Sequence, residues 1–436
     1  MKALEDIKHI HFVGIGGIGV SAMAKLARHH GITVTGSDLA ESVITKDLAE
    51  GYGISVYIGT NANLVDESVD LLVYSPAVPE SNIERVEARN RGIRELSYPE
   101  ILGEISKEKT TIAISGTNGK TTTTSMVTEL FKHLGLDPMA IVGEYLQKYD
   151  SNFIAGQSEY LITEACEYRG SFLNIYPDIL VITNITEDHL DYFKDLAHIQ
   201  EIFSKLLENL KGVKTLICNT SLPNLQPVIE HAKELGITVV PYEPYLEQGI
   251  ELSVPGQHNL ENAAAALAVI ASVGESTDQA KTYLAHEFQG AKRRMEYVGL
   301  TEGGAHLFDD YAHNPEGLER LIGGLRSFYA DKKIVLMFEP HLYSRTRDFK
   351  ETFGKELSKA DIVYLFPTYR AREPENPDED FLLKDYIDEN QVELHTVDDT
   401  ETFLKGFSTA GYGHDTVVVT VGAGPIWKVG LKLKKS

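Results

Sequence analysis

The sequence has few cysteines and a shortage of positive charge. It contains 2 cysteines in 436 residues, too few for a disulfide framework or a cysteine-based metal knuckle. Its 41 basic side chains against 64 acidic ones give a formal net charge of −23. A general nucleic-acid or anionic-membrane binder needs a positive face, so this balance argues against both classes. We therefore expect neither a nucleic acid nor a membrane among its partners.

Long apolar runs are also missing. No stretch approaches the ~20 residues that cross a bilayer. The first residues, MKALEDIKHI, lack the basic and then apolar pattern of a secretory signal. We expect a cytoplasmic protein. With 42% hydrophobic and 24% charged residues, the chain has an ordinary globular composition.

Apolar strand-like segments alternate with helix-like segments along the whole chain. HIHFVGI and ITVTGSD flank the helix-like SAMAKLARHH, and the alternation resumes at TTIAIS and again after about residue 290. This pattern favours parallel sheets covered by helices. It predicts an α/β fold of three domains, at residues 1–106, 107–290 and 291–436.

A first glycine loop follows the strand HIHFV. Gly14, Gly16 and Gly19 fit G-x-G-x-x-G, and Asp38 follows at the distance of the ribose-binding acid in dinucleotide folds. The fingerprint alone leaves a nicotinamide-dependent oxidoreductase open. It fits other ligands that carry a diphosphate equally well.

A second glycine loop, SGTNGKTTTTS, lies between a β-branched strand and a helix. Ile114 stands where the strict phosphate-loop pattern begins with glycine, but Gly116, Gly119, Lys120 and Thr121 remain. Glycines let the backbone close around an anion, and a helix start directs N–H groups at it. Lys120 would add positive charge at the phosphates, and the Thr121 hydroxyl could bind Mg²⁺. This loop predicts ATP binding.

Further metal ligands are expected at the carboxyl ends of neighbouring strands. Glu164 ends EYLITE, and His189 follows the next strand, with Glu187 and Asp188 as adjacent alternatives. Oxygen ligands suit Mg²⁺, and sites in parallel sheets gather at this edge. Read alone, a histidine such as His189 is more often a capping or surface residue, but its place at a strand end beside an ATP loop favours a metal ligand.

Ordered sequence blocks make the chain resemble the Mur ligases of peptidoglycan synthesis over essentially its whole length. The blocks are GTNGKTTTTSM, EACEYRGSFL, NITEDHLDYF, GQHNLENAAAALA, QGAKRRME, DDYAHNPE, FEPHLYSRTRDF and VGAGPIWKVG. The resemblance implies a UDP-sugar-binding Rossmann-like domain, a central P-loop ATPase domain and a C-terminal Rossmann-like domain that binds an amino acid. HFVGIGGIGVSAMAKL and EPHLYSRTR are most similar to the member that joins L-alanine to the lactyl carboxylate of UDP-N-acetylmuramate. That reaction uses ATP and Mg²⁺ and passes through an acyl phosphate.

The resemblance also implies roles for individual residues. The UDP-sugar would be bound by Gly16, Gly17, Ile18, Asp38 and Ser75. ATP would be bound by Gly116, Thr117, Asn118, Gly119, Lys120, Thr121, Thr122, Asn259, Asn262, Arg294 and Asp310. Magnesium would be held by Thr121, Glu164 and His189, and the groups at the chemistry would be Lys120, His189 and Arg294. The amino acid or acyl phosphate would be bound by His313, Arg345 and Arg347.

Some of these residues have simpler interpretations, and some positions depart from the family pattern. Asn259 and Asn262 could cap a helix, and Arg345 and Arg347 could form surface salt bridges. The alanine-adding members usually have histidine at the positions of Asn118 and Asn314, an aspartate at that of Cys166 and an acidic residue at that of Pro425. An alternative is therefore a Mur-type ligase that adds another amino acid or recycles a peptide.

Two more distant alternatives stay open. A folylpolyglutamate-type synthetase shares the central ATPase but ordinarily lacks the first domain. A non-catalytic protein with a ligase fold is opposed by the intact set Lys120, Glu164, His189 and Arg294. We expect a monomer or a weak homodimer.

Overall fold

A computed structural model describes residues 2–187, 192–252, 257–371, 373–409 and 411–435. Its contacts divide the chain into two compact units. The first unit comprises residues 1–253 and 260–289, and the second comprises residues 254–259 and 290–436. The first unit contains two sheets and the second unit contains one. The predicted α/β class with three sheets is confirmed, whereas the exact domain boundaries stay predictions.

The first sheet is parallel, in the order β3-β2-β1-β4-β5. Its strands are β1 (His9–Val13), β2 (Thr33–Asp38), β3 (Ser55–Ile58), β4 (Leu71–Tyr74) and β5 (Arg94–Ser97). The helices are α1 (Ile18–His29), α2 (Val43–Tyr52), α3 (Ile83–Asn90) and α4 (Tyr98–Glu108). The predicted strand HIHFVGI ends at Val13 because Gly14 turns the chain with φ +75°.

The second sheet has the order β12-β11-β10-β6-β9-β7-β8. It is parallel apart from the antiparallel β7–β8 pair. The strands are β6 (Thr110–Ser115), β7 (Met139–Leu146), β8 (Ser151–Ile154), β9 (Tyr160–Glu164), β10 (Ile179–Ile182), β11 (Thr215–Cys218) and β12 (Thr238–Pro241). The helices are α5 (Lys120–His133), α6 (Leu196–Leu207), α7 (Gln226–Glu234), α8 (Glu243–Leu246), α9 (Gln257–Ser272) and α10 (Thr277–His286).

The third sheet lies in the second unit, in the order β13-β14-β18-β15-β16-β17. Only its β13–β14 pair is antiparallel among the described strands of this sheet. The strands are β13 (Glu296–Leu300), β14 (His306–Asp310), β15 (Lys333–Phe338), β16 (Ile362–Leu365), β17 (Glu393–Thr396) and β18 (Thr416–Val421). The helices are α11 (Pro315–Phe328), α12 (Tyr343–Asp348), α13 (Lys350–Leu357), α14 (Thr400–Thr409) and α15 (Trp427–Leu433).

Buried aliphatic side chains of the strands form the cores of both units. In the first unit, one continuous cluster joins residues of the first two sheets, such as Ile10 and Leu180. Helix α1 of the first sheet packs against β7 and β8 of the second. The two sheets of this unit therefore share hydrophobic packing. In the part of the chain that the structure describes, no helix has the length and apolarity needed to cross a membrane.

A buried lysine also joins helix α1 to strands β7 and β8. Lys25 in α1 is fully buried, and its Nζ lies 2.7 Å from Asp47 Oδ2, 3.0 Å from the Tyr145 hydroxyl and 2.9 Å from Asn152 Oδ1. The Asn152 amide donates to the carbonyl of Ile18 at 2.6 Å. We call Lys25, Asp47, Tyr145 and Asn152 the Lys25 cluster. It links the first turn of α1 to the β7–β8 hairpin.

Candidate active site

The first glycine loop lies between β1 and α1. Gly14 has φ +75°, and a Cβ on it would lie 3.0 Å from the Ser75 Cβ, so a side chain is disfavoured here by both conformation and space. The Gly16 N–H donates to Asp38 Oδ2 at 2.8 Å. Gly17 forms the N-cap of α1, and Ile18 begins the helix. The structure thus brings Gly16, Asp38 and Ser75 together around one helix start, which suits an anion.

Asp38 has a structural role that the sequence motif did not predict. Its Oδ2 atom accepts from Gly16, and Oδ1 accepts from the Ala40 N–H at 3.3 Å. The carboxylate therefore fixes the glycine loop to the end of β2. A carboxylate has about four acceptor positions, so this role leaves room for ligand hydroxyls.

The second glycine loop is held by the segment after β10. The Thr117 N–H donates to the Asn184 carbonyl at 3.0 Å, and the Asn118 N–H donates to Asn184 Oδ1 at 3.0 Å. Gly116 and Gly119 have φ of +127° and +84°. A Cβ on Gly116 would collide with the Thr183 hydroxyl. The loop is therefore built before a ligand arrives, with glycine required where its backbone turns.

Lys120 begins α5 and lies across the loop. Its Nζ donates to the Gly116 carbonyl at 2.5 Å and lies 3.0 and 2.9 Å from the two carboxylate oxygens of Glu167. Burial acts against the Lys120 charge, but the carboxylate of Glu167 and the neighbouring Cys166 and Glu164 outweigh it and raise the pKa of Lys120. The lysine is thus a preformed cation. Sequence reasoning missed Glu167 as its partner, although this residue lies within the EACEYRG block.

Glu164 lies at the end of β9, as predicted, and faces the loop. Its Oε1 accepts from the Gly143 N–H at 2.6 Å, and the Thr121 hydroxyl donates to Oε2 at 3.2 Å. A threonine hydroxyl and a carboxylate side by side are hard oxygen donors, and Mg²⁺ commonly binds one or two such groups and keeps waters. The donor set therefore fits magnesium. His189 and Asp188 lie outside the described residues.

The other predicted ATP-binding residues of this region lie on helices α5 and α9. Asn262 on α9 is buried and accepts from the Thr123 hydroxyl at 3.3 Å, and a Cβ on Gly119 would collide with its amide oxygen. Asn262 therefore lies beside the second glycine loop. Thr122 is partly exposed in the first turn of α5. Asn259 is buried on α9.

In the second unit, Arg294 lies on a strained segment. Its neighbours Arg293 and Met295 have φ of +59° and +48°, a left-handed conformation that is uncommon outside glycine. Asp310 holds this segment, because its Oδ2 accepts from the Met295 N–H at 2.8 Å. The Arg294 guanidinium then lies 5.0 Å from the centre of the Tyr311 ring.

The amino-acid site predicted at His313, Arg345 and Arg347 is only partly assembled. The His313 ring lies 6.0 Å from the His341 ring, and Arg345 NH1 lies 3.4 Å from His341 Nδ1. Burial and the nearby Arg345 charge lower the pKa of His313 to about 3. His341 was missed, although it belongs to the EPHLYSRTR block. Arg347 is half-exposed and pairs with Glu379 at 3.3 Å, the surface salt bridge that we considered as its alternative.

A buried acidic pair lies at the same edge of the third sheet and was also missed. Glu339 follows β15, and Asp309 lies near the end of β14. Burial raises the pKa of Glu339 to about 7 and that of Asp309 to about 6. Among the described residues, Glu339 Oε1 has no hydrogen-bond partner. Nothing in the local sequence distinguishes these two acids from surface acids.

Known families match all three parts of the chain. Residues 9–110 match "Mur ligase family, catalytic domain", residues 114–248 match "Mur ligase middle domain", and residues 293–424 match "Mur ligase, glutamate ligase domain". Each span covers one of the three sheets, except that the middle span begins within β6.

Full-length relatives and a solved structure are similar to this chain over nearly its whole length. The UDP-N-acetylmuramate--L-alanine ligase of Clostridium novyi is 37% identical, over 98% of this chain and 97% of the relative. That of Agathobacter rectalis is 37% identical over 98% of each chain. The crystal structure of the UDP-N-acetylmuramate-alanine ligase of Thermotoga maritima has a TM-score of 0.79, with 27% identity over 98% of both chains. This chain belongs to the Mur ligase family.

Proposed function

We propose that this protein joins L-alanine to the lactyl carboxylate of UDP-N-acetylmuramate and converts ATP to ADP and phosphate, in peptidoglycan precursor synthesis. The observation that carries the proposal is the 37% identity over 98% of the chain to relatives with this named activity. Both glycine loops that the reaction needs are formed within one unit. The further proposals are a cytoplasmic location and a monomer or weak homodimer.

Each glycine loop would bind a different substrate, the first loop the UDP-sugar and the second loop ATP. The first loop would bind the diphosphate of the UDP-sugar through backbone N–H groups around Gly16, Gly17 and Ile18, near Asp38 and Ser75. The diphosphate is what a UDP-sugar shares with a dinucleotide, which explains the oxidoreductase-like fingerprint. The second loop would bind the ATP phosphates, with Asn259 and Asn262 at the adenine and Asp310 at the ribose.

Charge neutralisation is the main task of the residues at the second loop. A carboxylate repels a triphosphate, so the approach of the lactyl group needs positive charge at the transferring phosphate. Lys120 supplies it, and Thr121, Glu164 and His189 would hold Mg²⁺. Magnesium, when bound, withdraws charge from the phosphate oxygens. For Arg294 we propose a role in binding the phosphates.

The chemistry then takes two steps. A lactyl carboxylate oxygen attacks the γ-phosphorus and ADP leaves, which gives an acyl phosphate. The neutral amine of L-alanine attacks the carbonyl carbon, the amide bond forms, and phosphate leaves with the former carboxylate oxygen. His313 and Arg345 are proposed to bind the amino acid, since Arg345 offers a planar cation for its carboxylate.

Phosphate release in the presence of UDP-N-acetylmuramate and ATP tests the proposal. The assay compares L-alanine with L-serine, glycine, D-glutamate and a tripeptide. We expect L-alanine to give the highest kcat/KM by at least tenfold. A higher kcat/KM for D-glutamate or the tripeptide would replace the proposal with the alternative of another Mur-type ligase. Absence of substrate-dependent phosphate release with every acceptor would contradict ligase activity.

A further inference from the structure

Tyr98 lies beside the first turn of α1, the helix that follows the first glycine loop. It begins α4, directly after β5, and the preceding Ser97 caps this helix by a reciprocal hydrogen-bond pair with Glu100. Pro99 follows in the first turn, where its fixed φ suits a helix start. The backbone that carries the phenol is therefore rigidly placed.

One side of the Tyr98 ring packs against the helix that starts at the first loop. A Cβ on Gly19 would lie 2.6 Å from Tyr98 Cζ and 3.0 Å from its hydroxyl oxygen. Gly19 is the second residue of α1. The third glycine of the fingerprint is thus required because the phenol occupies the space of a side chain, which brings the hydroxyl beside the first turn of α1.

The charge of Glu164, at the end of β9, also acts on Tyr98. Burial, followed by the charges of Glu164 and Cys166, raises the pKa of the phenol above its ordinary value. Glu164 in turn contacts Thr121 of the second loop at 3.2 Å. Tyr98 therefore packs against the start of α1 and lies within electrostatic range of Glu164.

The Lys25 cluster keeps this arrangement fixed. Asn152 joins the cluster to the Ile18 carbonyl, one residue before Gly19. Tyr145 joins it to β7, and the N–H of Gly143 on the same strand binds Glu164 at 2.6 Å. The first turn of α1 and the Glu164 carboxylate are therefore anchored to the same hairpin.

The Tyr98 hydroxyl is available to a ligand. It forms no hydrogen bond with any residue in the described part of the chain, and the residue is partly exposed. A phenol at neutral pH is an uncharged O–H donor. It can therefore bind a carboxylate without cancelling the charge that makes the carboxylate a nucleophile.

We propose that Tyr98 donates its hydroxyl to the lactyl carboxylate of the UDP-sugar and thereby selects sugars that carry this group. The inference rests on the proposed function, since it takes the first loop to bind the UDP diphosphate. From there the lactyl carboxylate must reach the phosphate at the second loop, and Tyr98 packs at the start of α1 within electrostatic range of Glu164. Tyr98 is in this account a substrate-binding residue that positions the nucleophile.

The test compares two sugar nucleotides by calorimetric binding in magnesium-free buffer. UDP-N-acetylmuramate carries the lactyl group, and UDP-N-acetylglucosamine lacks it. For the Tyr98→Phe variant, which keeps the ring on Gly19, we expect the Kd for UDP-N-acetylmuramate to rise about tenfold, the usual effect of losing a hydrogen bond to a charged group. The Kd for UDP-N-acetylglucosamine should stay within twofold of the wild-type value.

Tyr176→Phe is the matched control, because Tyr176 is a partly exposed tyrosine of the same unit that stacks under Lys107, 4.3 Å from its Nζ. It should leave both Kd values unchanged. If the ratio of the two Kd values is the same in Tyr98→Phe as in the wild type, the inference is overturned. The proposed function would survive this result, because the wild type would still bind UDP-N-acetylmuramate. A wild-type protein that binds neither sugar nucleotide would instead overturn the proposed function and this inference with it.

Discussion

Lys120 shows how one side chain is prepared for a ligand. Its ammonium group lies against the loop carbonyls and Glu167, so its positive charge is in place before any phosphate binds. A triphosphate at this loop would compete with Glu167 for the same N–H donors. The positive charge is therefore already at the loop before the reaction, and a preorganised charge is what stabilises a transition state most effectively.

Replacing Lys120 by alanine should remove this stabilisation. We expect Lys120→Ala to lower the kcat of phosphate release by roughly 10³-fold, or about 4 kcal/mol in the barrier. Lys205→Ala, at an exposed lysine that pairs with Glu201 on α6, should keep the wild-type kcat. Turnover of Lys120→Ala within tenfold of wild type would exclude the assigned role.

Gly17 offers a way to obstruct the first loop without deforming it. Its φ is −68°, and the nearest atoms to a Cβ would be the Gly14 carbonyl oxygen at 3.4 Å and Val20 at 3.7 Å, which are ordinary van der Waals contacts. Gly17→Val should therefore fold, while its side chain covers the N–H groups at the start of α1. We expect the KM for UDP-N-acetylmuramate to rise at least tenfold and the KM for ATP to stay within twofold.

Gly323→Val serves as the control for this variant, because Gly323 is an exposed glycine of α11 with no neighbour within 4 Å of its Cβ position. It should change neither KM. Equal increases in both KM values for Gly17→Val would contradict the division of labour between the two loops.

The local sequence pattern predicted some residues of the candidate site and not others. Lys120 and Gly116 were predictable because glycine conformation, a helix start and a cation are encoded within a few adjacent residues. Glu167, His341 and Tyr98 were not, because their roles depend on partners that only the folded chain brings near. Asp38 was predicted from its spacing, but its contact with the Gly16 N–H could not be.

At the scale of elements, the β7–β8 hairpin is what the sequence analysis missed. MAIVGEYL contains Gly143 and Glu144 in its interior, and this breaks the strict alternation expected of a strand. The structure explains the glycine. Gly143 accommodates the Glu164 carboxylate, which would lie 2.6 Å from a Cβ, and the hairpin end carries the Lys25 cluster.

The Lys25 cluster should contribute measurably to the stability of the first unit. Lys25 is completely buried, whereas Asp47 is 28% exposed. Lys25→Met keeps most of the side-chain length but leaves Asp47 and Asn152 without their cation. We expect it to lower the free energy of unfolding by about 3 kcal/mol, as is typical when one member of a buried pair is removed.

Calorimetric unfolding of Lys25→Met, Lys25→Met/Asp47→Asn and Lys46→Met measures this effect. The double variant should recover part of the loss, since it removes the unpaired carboxylate. Lys46, which forms an exposed pair with Glu41, is the control and should stay near the wild-type value. A Lys25→Met protein as stable as Lys46→Met would show that the cluster does not hold the junction.

At the scale of the whole molecule, the pH dependence of stability should come partly from the second unit. Glu339 has an ordinary pKa of 4.5 and a folded value of about 7, because burial disfavours its charge. Between these two values the unfolded chain releases a proton that the folded chain keeps. Stability from this group is therefore present at low pH and is lost as pH rises through the window from 4.5 to about 7.

Glu339→Gln removes this titration while keeping the shape of the side chain. We expect the variant to exceed wild type in free energy of unfolding by on the order of 2 kcal/mol at pH 8, with a much smaller difference at pH 4.5. Trp427, the single tryptophan of the chain, begins α15 in the second unit and reports its unfolding by fluorescence. Parallel pH profiles for the two proteins would contradict the raised pKa.

The overall architecture was largely predictable, because three runs of alternating strands and helices admit few arrangements other than parallel sheets. The division into units was not predictable. The first two sheets share one hydrophobic cluster and the Lys25 cluster, and these long-range contacts leave no periodic trace in the sequence. The family resemblance, in contrast, was carried by short blocks of loop residues at the carboxyl edges of strands.

Isotope transfer shows whether the lactyl carboxylate attacks the γ-phosphorus of ATP. UDP-N-acetylmuramate labelled with ¹⁸O in its carboxylate is turned over with ATP and L-alanine, and the released phosphate is analysed by mass spectrometry. An acyl phosphate transfers one carboxylate oxygen to phosphorus, so each phosphate should carry a single ¹⁸O from a fully labelled substrate. Unlabelled phosphate released together with amide product would contradict the account.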